Sequence, residues 1–208
     1  WQKTKPDQDQ HTGWVFRSET DEPLSSSTGF GSFPCKDVIP DTVNNCKSIR
    51  EIYELSNDTS GKYSVPVLWD KKEKVIVNNE SSEIIKMFNS SFNKFAKNPE
   101  LDLFPEDLCS EIDEINSFIY DNFNNGVYKC GFATAQDAYE KAIAGVYNAL
   151  DRAEEILSKS RYLVGNRFTV ADIRFFVTLV RFDEVYVVYF KTNKKRISDY
   201  PNLLNYTR

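Results

Sequence analysis

The sequence lacks the features that would place it in a membrane or on a nucleic acid. No apolar run among its 208 residues is long enough to cross a bilayer. The formal net charge is −5, from 26 basic and 31 acidic side chains. An acidic balance of this kind argues against general binding to nucleic acid. We therefore expect neither a membrane nor a nucleic acid as a partner.

Cysteine is scarce, and its spacing fits no metal site. Zinc ligands in sequence usually stand two to four residues apart, and these cysteines do not. We therefore expect no bound metal. Scattered thiols suit the reducing cytoplasm, so we expect a cytoplasmic protein with reduced cysteines. The four are Cys35, Cys46, Cys109 and Cys130.

The sequence does contain a hairpin signal followed by a helix start, between Ser64 and Ile85. Two β-branched runs, at 65–69 and 75–77, flank a charged turn. A polar segment follows, and then the apolar positions of a helix predicted over 81–95. Upstream, apolar spacing predicts another helix over 44–56, with Cys46 on its core face.

Pro66 is the unusual residue of this hairpin. Proline lacks the N–H that a central strand needs, so it belongs at a strand's start, at an edge or in a turn. A cis Val65-Pro66 bond is one interpretation, and it would leave the Val65 backbone available to pair with a ligand. An ordinary edge-strand proline is the other, and the local sequence alone favours it.

Glu80 and Ser81 stand at the predicted helix start. Backbone N–H groups point outward there, and the helix dipole favours anions. A ligand carboxylate could bind the hydroxyl and N–H of Ser81 while Glu80 holds a ligand ammonium. Simple capping of the helix is the alternative.

Residues 1–42 form a long segment that glycine and proline punctuate, with little periodicity, so we expect it to be loop. Long loops in compact proteins are usually functional or disordered. Trp14 and Arg17 are three residues apart within it, close enough to converge on one site. A packing role for Trp14 is the alternative.

Beyond a linker at Asn98-Pro99 the sequence is helical. Apolar residues at helical spacing from Leu108 to Ile119 predict an amphipathic helix. Two further helices are predicted to begin with capping boxes, at 134–137 and at 169–172. The apolar run after the second box, 173–190, predicts one helix buried at the domain centre.

These motifs resemble a known family. The Val-Pro strand start, the hairpin and the Glu-Ser helix start are similar to the glutathione site of thioredoxin-fold glutathione transferases. The longer run 65–85, with the segments 125–129 and 180–186, resembles the glutathionyl-hydroquinone reductases, the omega-like Xi class. The resemblance implies an α/β plus all-α fold: a partial thioredoxin-like domain over 1–97, then an all-helical domain over 98–208.

The resemblance also implies a function. It implies reduction of glutathionyl-hydroquinones with glutathione as co-substrate, and a homodimer formed through the helical domain. Tyr128 and Tyr186 would line the pocket for the quinone-derived substrate, and a core or interface role is their alternative. The implied glutathione-binding residues are Trp14, Arg17, Val65, Pro66, Glu80 and Ser81.

The family's nucleophile is not found in this sequence. Family members use a cysteine followed by Pro-Trp at a helix start, where the thiol pKa is lowered. No Cys-Pro-Trp occurs, so no residue is assigned as catalytic. We expect a chain truncated at the N-terminus, and at the C-terminus too, without activity of its own. Omega-like thiol transferase or dehydroascorbate reductase activity, and an inert glutathione-binding relative, are the alternatives.

Overall fold

The computed structural model describes residues 14–25 and 31–208, which form two compact units. The first unit ends at Met87 and the second begins at Phe88, so the division falls inside a helix. The domain boundary predicted after residue 97 stays a prediction.

A small hairpin lies in the segment predicted to be loop. Strand β1 (Leu24–Ser25) pairs antiparallel with strand β2 (Ser32–Phe33). The prediction of loop throughout 1–42 is therefore wrong here, because two-residue strands are too short to show an alternating pattern. Residues 1–13 and 26–30 of that segment lie outside the described residues.

Helix α1 runs from Ile49 to Leu55, so its predicted start at residue 44 is wrong. Ser48 caps the helix, since its hydroxyl accepts the N–H of Glu51 at 3.4 Å. The preceding turn is held by Asp41, whose carboxylate accepts three backbone N–H groups, including that of Cys46 at 3.0 Å. Cys46 therefore lies in this turn and not on the core face of a helix.

The hairpin predicted between residues 65 and 77 is confirmed, with a shorter first strand. Strand β3 (Leu68–Asp70) pairs antiparallel with strand β4 (Val75–Asn78), and the register shifts between Leu68 and Trp69. Helix α2 follows at Ser81–Ser90 and ends before the predicted residue 95. The first unit thus places α1, the hairpin and the start of α2 in one compact body.

The second unit is helical, as predicted. Its packed centre contains fully buried apolar side chains from several helices. Two wide π-type turns interrupt the helices, at Tyr120–Asn124 and Phe182–Tyr186. The helices are α3 (Cys109–Ile119), α4 (Gly126–Phe132), α5 (Gln136–Leu157), α6 (Val170–Leu179), α7 (Val187–Tyr189) and α8 (Pro201–Tyr206).

The apolar run 173–190 is not one buried helix. Helix α6 ends at Leu179, and Phe176 and Val177 on it are 39% and 47% exposed. In the π-type turn that follows, the carboxylate of Asp183 accepts the backbone N–H of Ile197 at 2.7 Å. The number of apolar residues in the run 173–190 does not show that Asp183 binds Ile197, which lies later in the chain.

One predicted capping box is wrong and the other is confirmed. At α5 the cap residue is Ala135, which makes no side-chain hydrogen bond, and Asp137 is exposed. At α6 the hydroxyl of Thr169 accepts the N–H of Ala171 at 3.3 Å, and the carboxylate of Asp172 accepts the N–H of Thr169 at 2.9 Å. Only the second box is buried, and there the free donors of the helix start require a partner.

Asp172 holds together three separate parts of the second unit. It is fully buried, and its Oδ1 accepts the N–H of Leu163 at 3.0 Å and the hydroxyl of Tyr206 at 2.9 Å. Its Oδ2 accepts from Thr169. Burial raises the pKa of Tyr206, and the neighbouring carboxylate adds to the effect, so Tyr206 keeps the proton that it donates.

The substitution Asp172→Ala should lower the free energy of unfolding by about 3 kcal/mol, because it leaves several buried donors without a hydrogen-bond acceptor. Urea unfolding followed by far-ultraviolet circular dichroism measures this loss. The matched control is Asp137→Ala, in the first turn of α5, which should change stability by less than about 0.5 kcal/mol. Equal losses in the two variants would contradict the assignment of Asp172 as the buried cap.

Candidate functional site

Tyr53 of α1 joins the two segments that carry four of the predicted glutathione residues. Its hydroxyl lies 2.9 Å from the backbone oxygen of Ser64 and 3.0 Å from Nδ2 of Asn79. These two residues directly precede the predicted ligand pairs 65–66 and 80–81. Tyr53 itself is 1% exposed. One buried side chain therefore anchors both segments in the first unit.

Val65 and Pro66 are joined by a cis peptide bond. The structure therefore agrees with the cis interpretation of Pro66 and not with the ordinary edge-strand proline that the local sequence favours. Val65 is 42% exposed. Within the described part of the chain, the N–H and C=O of Val65 make no hydrogen bond. The backbone of this part-exposed residue is thus able to pair with an extended ligand.

Glu80 and Ser81 lie at the start of α2, as predicted. The carboxylate of Glu80 accepts the backbone N–H of Ser82 at 3.2 Å and its hydroxyl at 3.1 Å, so Glu80 does act as a cap. Ser81 is exposed, with its hydroxyl 3.5 Å from the same carboxylate. The first N–H groups of a helix have no partner within it, so a ligand anion could bind at Ser81.

Trp14 and Arg17 lie on a segment that pairs with the start of α1. The C=O of Trp14 accepts the N–H of Ile49 at 2.9 Å, and Trp14 is 41% exposed. Arg17 is half-buried and lines a cavity of about 500 Å³ together with Cys46 and Lys47. Among the described residues that line this cavity, Arg17 alone belongs to the six predicted glutathione residues.

Tyr128 and Tyr186 come together in the second unit. Their hydroxyl oxygens are 3.0 Å apart, and their rings meet edge to face. Tyr186 is buried, whereas Tyr128 is 41% exposed. Burial raises the pKa of Tyr186, and the hydrogen bond to Tyr128 raises it further, so Tyr186 remains a proton donor at neutral pH. Their contact with a substrate stays a prediction.

Two phenylalanines extend this pair into a cluster of four rings, which the sequence interpretation missed. The ring of Phe190 lies 5.4 Å from that of Tyr128 and 5.7 Å from that of Phe132, centroid to centroid. Phe132 is 73% exposed. A side chain at Gly131 would overlap the Phe190 ring. The sequence contains an indication of this cluster, because Phe132 and Phe190 each stand four residues after one of the tyrosines. Side chains four residues apart are neighbours on a helix.

Two of the four cysteines have environments that oppose nucleophilic chemistry. Burial raises the pKa of Cys130 to about 11. Burial also raises the pKa of Cys46, and the carboxylates of Asp41 and Glu51 add to it. A nucleophilic cysteine needs the opposite shift, because the thiolate is the reactive form.

The described residues contain no grouping of three or more metal-binding side chains. Within 14–25 and 31–208, no helix is both long and apolar enough to cross a bilayer.

The helical unit defines the class of the protein, and comparison with known proteins identifies the family. The family model "Glutathione S-transferase, C-terminal domain" matches residues 136–208. The chain is 47% identical over 197 residues to the glutathionyl-hydroquinone reductase YqjG of Escherichia coli (strain K12), which is 94% of this chain and 55% of that protein. It is 48% identical over 176 residues to PcpF of Sphingobium chlorophenolicum, named likewise, with coverage of 84% and 56%.

Solved structures agree with the sequence matches. The Xi glutathione transferase of Phanerochaete chrysosporium has a TM-score of 0.79 at 49% identity, over 83% of this chain and 59% of that chain. The Xi glutathione transferase ECM4 of Saccharomyces cerevisiae, in complex with glutathione, has a TM-score of 0.83 at 34% identity, over 96% and 69%. The chain belongs to the Xi class of glutathione transferases, which confirms the family predicted from sequence. It spans a little over half the length of the curated relatives that it matches.

In the folded protein at pH 8, Cys130 should resist alkylation by iodoacetamide, because a thiol with a pKa of about 11 is only ~0.1% thiolate there and is fully buried. Reaction should appear when urea unfolds the chain. Mass spectrometry of tryptic peptides measures both states. Equal alkylation of Cys130 with and without urea would contradict the burial that raises its pKa.

Proposed function

We propose that this protein acts in glutathione-dependent reduction of glutathionyl-hydroquinones, with glutathione as co-substrate. The observation that carries the proposal is the shared anchor on Tyr53, which holds the backbone of the part-exposed Val65 and the start of α2 in one unit. A tripeptide has the extended backbone and the charged ends that such a pair of segments can bind. The names of the two bacterial relatives support the choice of reaction.

Each predicted residue takes one part of glutathione. The cysteinyl backbone of the tripeptide pairs with Val65 beside Pro66. The carboxylate of its glutamyl end accepts from the hydroxyl and N–H of Ser81, and Glu80 attracts the ammonium group. The glycyl carboxylate binds Arg17, a fork of donors that suits a carboxylate. Trp14, which is part exposed, packs against the same ligand.

The second unit contributes the pocket for the hydroquinone. Tyr128 is 41% exposed, and Tyr186, whose hydroxyl bonds to that of Tyr128, keeps its proton because burial raises its pKa. We propose that this pair donates a hydrogen bond to a hydroquinone oxygen. The exposed ring of Phe132 adds an apolar surface on which an aromatic substrate can lie.

The chemical step requires a thiolate. It attacks the sulfur of the glutathionyl-hydroquinone, forms a mixed disulfide with glutathione and releases the hydroquinone, whose carbon takes a proton. A second glutathione thiolate then attacks the mixed disulfide, frees the enzyme's thiolate and leaves as glutathione disulfide. Cys46 and Cys130 are unsuited to this step, since burial raises their pKa. These 208 residues also contain no Cys-Pro-Trp, and so we expect glutathione binding from them, but no turnover.

Two other functions have support of their own. The chain is 42% identical over 198 residues to the glutathione S-transferase omega-like 2 of Schizosaccharomyces pombe (strain 972 / ATCC 24843), which favours thiol transfer or dehydroascorbate reduction. A sequence without Cys-Pro-Trp favours a relative that binds glutathione without chemistry. We also propose a cytoplasmic location, supported by four unpaired cysteines, and a homodimer, supported by the family resemblance.

Glutathione binding tests the site directly. Isothermal titration of the 208-residue chain with reduced glutathione should show one site, and Arg17→Ala should raise Kd about tenfold through loss of a charged contact. Lys36→Ala, an exposed cation in the same unit, is the matched control and should leave Kd within a factor of about two. A chain that does not bind glutathione, or an Arg17→Ala variant with unchanged Kd, would contradict the proposed site.

Turnover separates the three functions. The protein expressed from the complete reading frame should release hydroquinone from a glutathionyl-hydroquinone faster than it reduces dehydroascorbate. The reverse preference would favour the omega-like activity. Binding without either reaction would favour the inert relative.

A further inference from the structure

We propose that Tyr53 is a positioning residue for glutathione: its buried hydroxyl sets the separation between the Val65 backbone and the start of α2. This inference rests on the proposed function, because it assumes that one ligand contacts both segments. Tyr53 is 1% exposed, so it acts through its neighbours and does not itself touch the ligand.

The hydroxyl of Tyr53 uses all of its hydrogen-bonding capacity on the two segments. A tyrosine hydroxyl has one proton to donate and can accept from two donors. The proton goes to the backbone oxygen of Ser64 at 2.9 Å, which has no hydrogen to offer in return. The hydroxyl oxygen then accepts from Nδ2 of Asn79 at 3.0 Å and from the hydroxyl of Ser64 at 3.2 Å.

Each bonded group stands one residue away from a proposed ligand contact. The C=O of Ser64 belongs to the peptide unit that contains the N–H of Val65, so the Tyr53 hydroxyl orients that unit directly. Asn79 precedes Glu80, whose backbone C=O accepts the first hydrogen bonds of α2. A shift at either bond would therefore move a group that contacts glutathione.

The fold of the first unit does not depend on the hydroxyl alone. The ring of Tyr53 meets that of Tyr63 edge to face at 5.7 Å, a contact that phenylalanine also makes. The end of α1 is tied to strand β4 separately, because the hydroxyl of Ser56 accepts the N–H of Ile76 at 2.9 Å. Loss of the Tyr53 hydroxyl should therefore leave α1 in place and release the two ligand segments.

The test compares Tyr53→Phe with Ser56→Ala by glutathione titration and by thermal unfolding. Both variants remove a hydroxyl bond made by α1, but Ser56 bonds to the hairpin strand and not to a ligand segment. Tyr53→Phe should raise Kd for glutathione about tenfold, because it releases both ligand segments from the hydroxyl. Ser56→Ala should lower Tm as well, but it should leave Kd within a factor of about two.

Asn79→Ala provides an independent variant, because it removes the same hydroxyl contact from an exposed residue. It too should raise Kd, and the double variant should bind no more weakly than Tyr53→Phe alone, since the bond that Asn79→Ala breaks is one that Tyr53→Phe also breaks. Wild-type binding with unchanged Kd in Tyr53→Phe or in Asn79→Ala would overturn the positioning role and leave the proposed function standing. Absence of binding by the wild type would overturn both.

Discussion

The hydrogen bonds of one buried tyrosine hydroxyl are the constraint on which the two proposed ligand segments of the first unit depend. Tyr53 is buried on the apolar side of α1, and its hydroxyl bonds to Ser64 and to Asn79. A buried polar group of this kind is costly unless it is fully paired, so its partners are held closely. The consequence is that two loop segments, which could otherwise move independently, keep one relative geometry.

In the second unit, a buried charged side chain joins separate segments in the same way. Asp172 is buried and accepts from Leu163, Thr169 and Tyr206, which ties the start of α6 to a preceding turn and to α8. Breaking such a network costs more free energy than breaking a surface contact. Each buried donor loses its acceptor and forms no hydrogen bond to water in its place. In both units an apolar core brings segments together, and a single polar side chain then specifies how they meet.

The sequence alone predicts the family, the hairpin and the Thr169 box, because these depend on local patterns and on one long run of distinctive residues. It does not predict the start of α1, since the carboxylate of Asp41 competes for the backbone N–H groups that a helix would use. It also misses the partners of Tyr53, because Ser64 and Asn79 come near it only in the folded chain. The contact between Asp183 and Ile197 is missed for the same reason.

The central claim is that one glutathione molecule contacts both segments held by Tyr53. The most direct measurement is a titration of the ¹⁵N-labelled chain with glutathione, followed by assigned amide chemical shifts. The account predicts saturable changes with one shared Kd at the amides of Val65 and Ser81. Saturation at Ser81 with no change at Val65, or changes confined to the cavity at Arg17, would contradict it.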